Sequence, residues 1–222
     1  MKGGMNVDTR TVNVLSICSG YGGIELGLES VIPARTVCYV ENELGVASIL
    51  AARMEDGSLD PAPIWTDLRT FDPDPWRGKV DIVAGGFPCQ PHSVAGSRLG
   101  ADDPRELSGE VLRIADGLGL PVLFLENVPG ILRFYWDNIR PELRTLGYSI
   151  EEGLFTASSV GAPHRRERLF ILANTSGAGV WHQPRQAQRA TGFTNVRQGD
   201  WEVSPVRPSP TNSIMADTEF VR

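Results

Sequence analysis

Lysine is nearly absent from this chain: of 21 cationic residues, only Lys2 and Lys79 are lysine and the other 19 are arginine. Acidic residues number 27, giving a formal net charge of -6. That balance excludes a broadly adhesive nucleic-acid binder but leaves room for a local basic face. Cysteine is scarce as well. Cys18, Cys38 and Cys89 lie 20 and 51 residues apart. This spacing makes neither a disulfide framework nor a zinc site, so no metal is expected, and a reducing cytoplasm is the expected setting. No run of about 18 apolar residues occurs, so no transmembrane helix and no membrane partner are expected. Residues 1–13 lack an apolar stretch long enough for a signal peptide.

The 222 residues, 41% hydrophobic and 22% charged, suit one α/β domain and exclude a wholly disordered chain. Apolar runs alternate with helix-like stretches as far as Ala173, the pattern of βα units around a mostly parallel sheet. Strands are predicted at Val12–Cys18, Thr36–Val40, Val80–Ala84 and Pro121–Leu125, and helices at Ile24–Ser30, Glu43–Arg53, Leu107–Leu118 and Asn138–Leu146. Leu154–Ala157 and Leu169–Leu172 are read as a short hairpin pair around the loop Ser158–Arg168. Beyond Ala173 apolar periodicity fades into Gly, Pro, Gln, Ser and Thr, so residues 174–222 are expected to form an irregular tail. Net charge is -7 up to Ala173 and +1 beyond it.

Four segments carry chemistry. Ser19-Gly20-Tyr21-Gly22-Gly23 follows the first strand and opens a helix, where glycine lets backbone approach a ligand and the helix N-terminus favours an anion. A tight turn needs the same glycines. The second strand ends in Glu41, 21 residues after Gly20, where a carboxylate can accept both hydroxyls of a ribose. The pair suits either a dinucleotide or S-adenosylmethionine. Gly85-Gly86-Phe87-Pro88-Cys89-Gln90 ends the third predicted strand and puts a thiol in a shaped loop, whereas Cys18 and Cys38 read as buried. Glu126 closes an apolar strand, where a carboxylate is costly unless it caps a turn, meets an arginine or works. Pro163-His164-Arg165-Arg166-Glu167-Arg168 is either a solvated loop or a cluster for phosphate, carbonyl or carboxylate.

In this order, SICSGYGG, GGFPCQPHSVAG, LENVPGIL and GAPHRRERLFILA resemble the motifs of the C5-cytosine DNA methyltransferase family, and Thr66-Asp67-Leu68 sits where its third cofactor acid is expected. The resemblance runs from about Val14 to Ala173. It implies a Rossmann-like S-adenosylmethionine-dependent methyltransferase fold, mostly parallel with helices on both faces, and a catalytic domain over 1–173. It also implies transfer of a methyl group from S-adenosyl-L-methionine to C5 of a flipped-out cytosine in double-stranded DNA, through a covalent Cys89 adduct. Glu126, Arg166 and Arg168 are the other implied catalytic residues, Arg168 matching the family's catalytic arginine more closely. The implied cofactor contacts are Ser19, Gly20, Tyr21, Gly22, Gly23, Glu41, Asn42, Asp67, Leu68 and Pro88. The implied substrate contacts are Phe87, Gln90, Ser93, Asn127, Val128 and His164.

The chain departs from the family pattern in three places. Ser16 and Cys18 stand where the first motif usually has an acid and an aromatic, and His164 where glutamine is commoner. No recognition region and no Gly-Asn-Ser/Ala-Val closing motif is found, so the expectation is a catalytic half with an incomplete fold, residues 174–222 being an irregular tail or the start of a truncated target-recognition region. A second chain supplying target recognition and a cognate restriction endonuclease are the further candidate partners. An inactive remnant that binds cofactor or DNA weakly is the alternative reading, and the family's tRNA-methylating branch a further one. A plain NAD-dependent oxidoreductase leaves the PCQ and ENV motifs unexplained.

Overall fold

The structure, a computed structural model, describes residues 10–88, 107–175 and, as backbone, 194–195. Val12–Ile17 (β1) alternates its side chains across the sheet, with Leu15 and Ile17 on one face and Val12 and Val14 on the other. A glycine turn leads into Gly23–Glu29 (α1), then Ala34–Val40 (β2), Leu44–Glu55 (α2) and a two-residue strand, Ile64–Trp65 (β3). Ile82–Gly85 (β4), Ser108–Leu118 (α3) and Val122–Asn127 (β5) complete the parallel part. Leu132–Phe134 (α4), a π-helical turn Tyr135–Ile139 and Arg140–Thr145 (α5) lead to Ser149–Thr156 (β6) and Glu167–Asn174 (β7). Thr194–Asn195 (β8) pairs with β6.

The eight described strands form one sheet in the order β3-β2-β1-β4-β5-β7-β6-β8, with β7 antiparallel to both its neighbours. One face carries the larger core, where Leu15, Val83, Leu123 and Ile171 pack with Val111 and Ile114 of α3 and Tyr135 and Leu143. The other face packs Val12, Val14, Ile82 and Val122 against Ile24 and Leu28 of α1. The register is what builds a site. Val40, Ile17, Gly85 and Leu125 lie side by side in one row across β2, β1, β4 and β5. The residues that follow them therefore leave the sheet along a single edge. β1 pairs with β2 on one side and β4 on the other, so the crevice opens where the winding reverses.

The expected α/β architecture is present, with differences in extent. β6 and β7 are eight residues each, longer than the hairpin read from sequence, and Glu167 and Arg168 belong to β7 rather than to the preceding loop. The start of β6 was hidden by Glu151, Glu152 and Gly153. Glu152 is accommodated because Arg140 Nε pairs with it at 3.0 Å, and Gly153 because the Phe155 ring occupies the space a Cβ would need. β3 was not predicted, being two residues among prolines. The helix expected from Asn138 starts earlier, and its π turn precedes Pro141, which has no N–H to donate to the helix. Of the expected tail, Asn174 ends β7, and the rest lies outside the described residues except for Thr175 and β8. Among the described residues no helix is long and apolar enough to cross a membrane.

Candidate active site

The turn after β1 is tied to the end of β2. Ser19 donates its backbone N–H to the Val40 carbonyl at 3.2 Å, and its Oγ accepts from Val40 N–H at 3.2 Å. Gly20 and Gly22 have φ of 56° and 78°, values that favour glycine. Among the described residues, none beyond the chain neighbours has an atom within 4 Å of where a Cβ of Gly20 or Gly23 would stand, whereas Leu59 fills that space at Gly22, at 2.6 Å. Glu41, the residue after β2, accepts from Gly20 N–H on Oε2 and from Glu43 N–H on Oε1, both at 2.9 Å. Asn42 is exposed beside it, and Tyr21 is 59% exposed. Just past the adjoining β3, Asp67 caps a 3-10 turn, its Oδ1 accepting from Arg69 N–H at 3.0 Å and lying 3.4 Å from Arg69 Nη1, while Leu68 is buried.

Beneath the glycine turn is a buried polar network that the sequence reading missed. Ser16 Oγ donates to Glu25 Oε1 at 2.5 Å and shares a hydrogen bond of 2.7 Å with Ser19 Oγ. The carboxylate lacking at position 16 is thus supplied from α1, nine residues further along the chain. Glu25 is 1% exposed, and its Oε2 has no hydrogen-bond partner among the described residues. Burial pushes its carboxyl up, against the opposing pull of the Ser16 hydrogen bond. The folded state therefore holds this proton more tightly than the unfolded chain does. The stability it brings is full below the ordinary Glu range and is lost as pH rises through the raised folded value. Glu25→Gln should melt like wild type near about pH 4 and above it at about pH 8, by about 2–4 °C, the shift expected of roughly 1 kcal/mol. Thermal scans at the two pH values check this, and equal melting at both contradicts it.

The other wall rises from β4, β5 and β7. Glu126 Oε1 pairs with Arg168 Nε at 2.6 Å, across the antiparallel β5–β7 ladder. Gly86 makes room for this carboxylate, since a Cβ there would stand 2.7 Å from Glu126 Oε2. Asn127 is buried and donates from Nδ2 to the Phe87 carbonyl at 3.0 Å, while its Oδ1 accepts from Val128 N–H at 2.9 Å. The segment carrying Phe87 and Pro88 is thereby fastened to the end of β5. Arg166 holds φ of 24°, an uncommon backbone conformation at the mouth of the site, and His164 is exposed next to it. Cys89, Gln90 and Ser93 lie outside the described residues. Burial pushes the Cys18 thiol up to about 12 and the Cys38 thiol up to about 11, so neither is a ready nucleophile.

The two walls face one cleft of about 660 Å³, lined by Ser19 and Gly23 on one side and Glu126, Arg166 and Arg168 on the other. Its apolar wall is aromatic, with Phe124 stacked on Phe170 at 5.7 Å and Phe155 edge-on to Phe170 at 5.6 Å. Among the described residues no group of three or more His, Cys, Asp or Glu is placed to hold a metal. An open glycine turn and two carboxylates on one edge offer space and hydrogen-bond acceptors, and the arginine-paired glutamate on the other wall offers adjacent donors and acceptors to a polar, planar group.

M.NaeI, a Type II methyltransferase of Lentzea aerocolonigenes, is 32% identical over 192 residues, covering 83% of this chain and 46% of its own. M.NgoMIV, a Type II methyltransferase of Neisseria gonorrhoeae, is 33% identical over 199 residues, covering 85% and 62%. The chain spans about half the length of the curated relatives it matches. Among solved structures, that of Spodoptera frugiperda DNMT2 superposes with a TM-score of 0.62 at 23% identity, covering 80% of this chain and 54% of that one. This is a likeness of fold. The family model for C-5 cytosine-specific DNA methylases matches residues 12–213, nearly the whole chain, and the chain belongs to that family.

Proposed function

We propose that this chain carries the catalytic machinery of a DNA (cytosine-5-)-methyltransferase, acting on cytosine in double-stranded DNA. The observation that carries the reading is the Glu126–Arg168 pair, set on the wall of a cleft whose opposite wall is the open glycine turn. The residues present fit S-adenosyl-L-methionine. Gly20 and Gly23 leave open space for its methionine end, the Glu41 carboxylate is fixed at the strand edge for the ribose, and Asp67 stands just past the end of β3 for the adenine amine. Ser19, Tyr21, Asn42, Leu68 and Pro88 complete this half of the site. When bound, the cofactor supplies an electrophilic methyl group.

The chain's own residues do the rest. Cys89, the residue after Pro88, adds as a thiolate to ring carbon 6 of cytosine; the Sγ–C6 bond forms and the ring's electron pair moves to carbon 5. Glu126 holds a proton at ring nitrogen 3 and contacts the exocyclic amine, which favours that addition. Arg168 and Arg166 orient the base and the carboxylate. Once carbon 5 carries its new methyl group, its proton passes to solvent water or hydroxide, the freed electron pair re-forms the C5–C6 double bond, and the Sγ–C6 bond breaks with its pair on sulfur, regenerating the thiolate. The family resemblance assigns Phe87, Gln90, Ser93, Val128 and His164 to the base, and Asn127 acts by holding the Phe87 carbonyl. The base must leave the duplex to reach this cleft, at a cost of about a few kcal/mol.

The domain over 1–173 is the catalytic unit in this reading, and target recognition comes from elsewhere, in residues 174–222 or a second chain. A cognate restriction endonuclease remains the proposed functional partner. The test is incubation of the chain with methyl-labelled S-adenosylmethionine and unmethylated plasmid DNA, followed by nucleoside mass spectrometry. Labelled 5-methyldeoxycytidine is the expected product. Label appearing only in added tRNA places the chain on the RNA-methylating branch instead, and no label in either supports the inactive remnant.

A further inference from the structure

Arg113 lies on α3, far along the chain from any motif, yet its guanidinium is spent on one short turn. Nη1 donates to the Phe71 carbonyl at 3.0 Å, and Nη2 to the carbonyls of Leu68 at 3.1 Å and Arg69 at 3.4 Å. Nε is held by Glu110 Oε2 at 2.7 Å, one turn earlier on the same helix, so the fork is aimed from a fixed base. Those carbonyls belong to the 3-10 turn whose N-cap is Asp67. Within the turn, Trp65 Nε1 donates to Thr70 Oγ1 and Thr70 Oγ1 to the Asp67 carbonyl, both at 3.0 Å, and Arg69 Nη1 stands 3.4 Å from Asp67 Oδ1. Against the rest of the domain the turn is also anchored by apolar side chains: Leu68 and Phe71 are 3% and 2% exposed, and Phe71 packs edge-on to Trp65 and against Trp76. Apolar anchoring resists withdrawal of the turn but resists its rotation poorly. A planar cation gripping three carbonyls fixes that rotation, and with it the direction of the Asp67 carboxylate.

We propose that Arg113 is a positioning residue for cofactor recognition, setting the Asp67 carboxylate against the 6-amino group of adenine. The inference rests on the cofactor reading above and adds a residue to it. Lysine cannot replace this side chain, because a point charge serves one carbonyl where the fork serves three. The fold does not depend on it, since Leu68 and Phe71 keep the turn in the core.

The test is calorimetric titration of the full chain with S-adenosylhomocysteine and with S-inosylhomocysteine, which has oxygen in place of the 6-amino group. Arg113→Gln and Arg113→Lys should melt within a few degrees of wild type, bind S-adenosylhomocysteine about tenfold more weakly, and lose most of the preference for adenine. Combined with Asp67→Ala, Arg113→Gln should add little further loss, because both substitutions remove the same interaction. If Arg113→Gln does not fold, Arg113→Lys carries the measurement. Affinity within about twofold of wild type, or a loss that keeps the full adenine preference and multiplies with that of Asp67→Ala, overturns the inference alone. A wild-type chain that binds no S-adenosylhomocysteine overturns the cofactor reading and this inference with it.

Discussion

Glu126→Gln should lower methyl transfer by about 10²–10⁴-fold while leaving cofactor affinity within about twofold of wild type. The side chain stands 2.6 Å from Arg168 Nε, and its second oxygen fills the space that Gly86 leaves. Glutamine keeps that shape and can still accept from Arg168 through its amide oxygen, so the cleft should survive. It cannot hold the proton at ring nitrogen 3, nor offer a carboxylate to the exocyclic amine. The loss therefore falls on the chemical step and not on binding of the cofactor, whose proposed place is against the other wall. Single-turnover kinetics beside a calorimetric titration separate the two effects. A variant with lost affinity and normal turnover would move Glu126 to the cofactor half of the site.

What could be read from sequence, and what could not, follows from how far apart the partners lie. The glycine turn, Glu41, Glu126 and the arginine segment were legible because each sits within a few residues of a strand end, and parallel strands deliver their ends to one edge. Glu25 was not legible. It reads as one more polar residue on a short helix, and only the fold brings it within 2.5 Å of Ser16. Arg113 was hidden for the same reason, its carbonyl partners lying 42 to 45 residues earlier. β3 gave no periodic signal at two residues, and the strand around Glu151 and Glu152 looked too charged to be paired. Glu152 belongs there because Arg140 and Tyr135 Oη meet it on the core side. The family resemblance implies a base contact for Asn127; its amide is bonded to the Phe87 carbonyl, an arrangement visible only once β4 and β5 are adjacent.

Cys89→Ser should abolish covalent capture of the target base, the largest single effect expected of any substitution here. The other two thiols offer no substitute, because burial pushes Cys18 and Cys38 up to about 12 and about 11. A serine hydroxyl at position 89 is a far weaker nucleophile than a thiolate near neutral pH. The most direct measurement is denaturing mass spectrometry of the chain after incubation with S-adenosylmethionine and duplex DNA in which cytosine is replaced by 5-fluorocytosine. Fluorine at carbon 5 cannot leave as a proton does, so the adduct stays joined. Wild type should carry a mass increment of the oligonucleotide plus one methyl group, mapped by proteolysis to the peptide containing Cys89. Cys89→Ser should carry none, and Glu126→Gln only a small fraction. An adduct that forms equally in Cys89→Ser, or that maps to another peptide, contradicts the account.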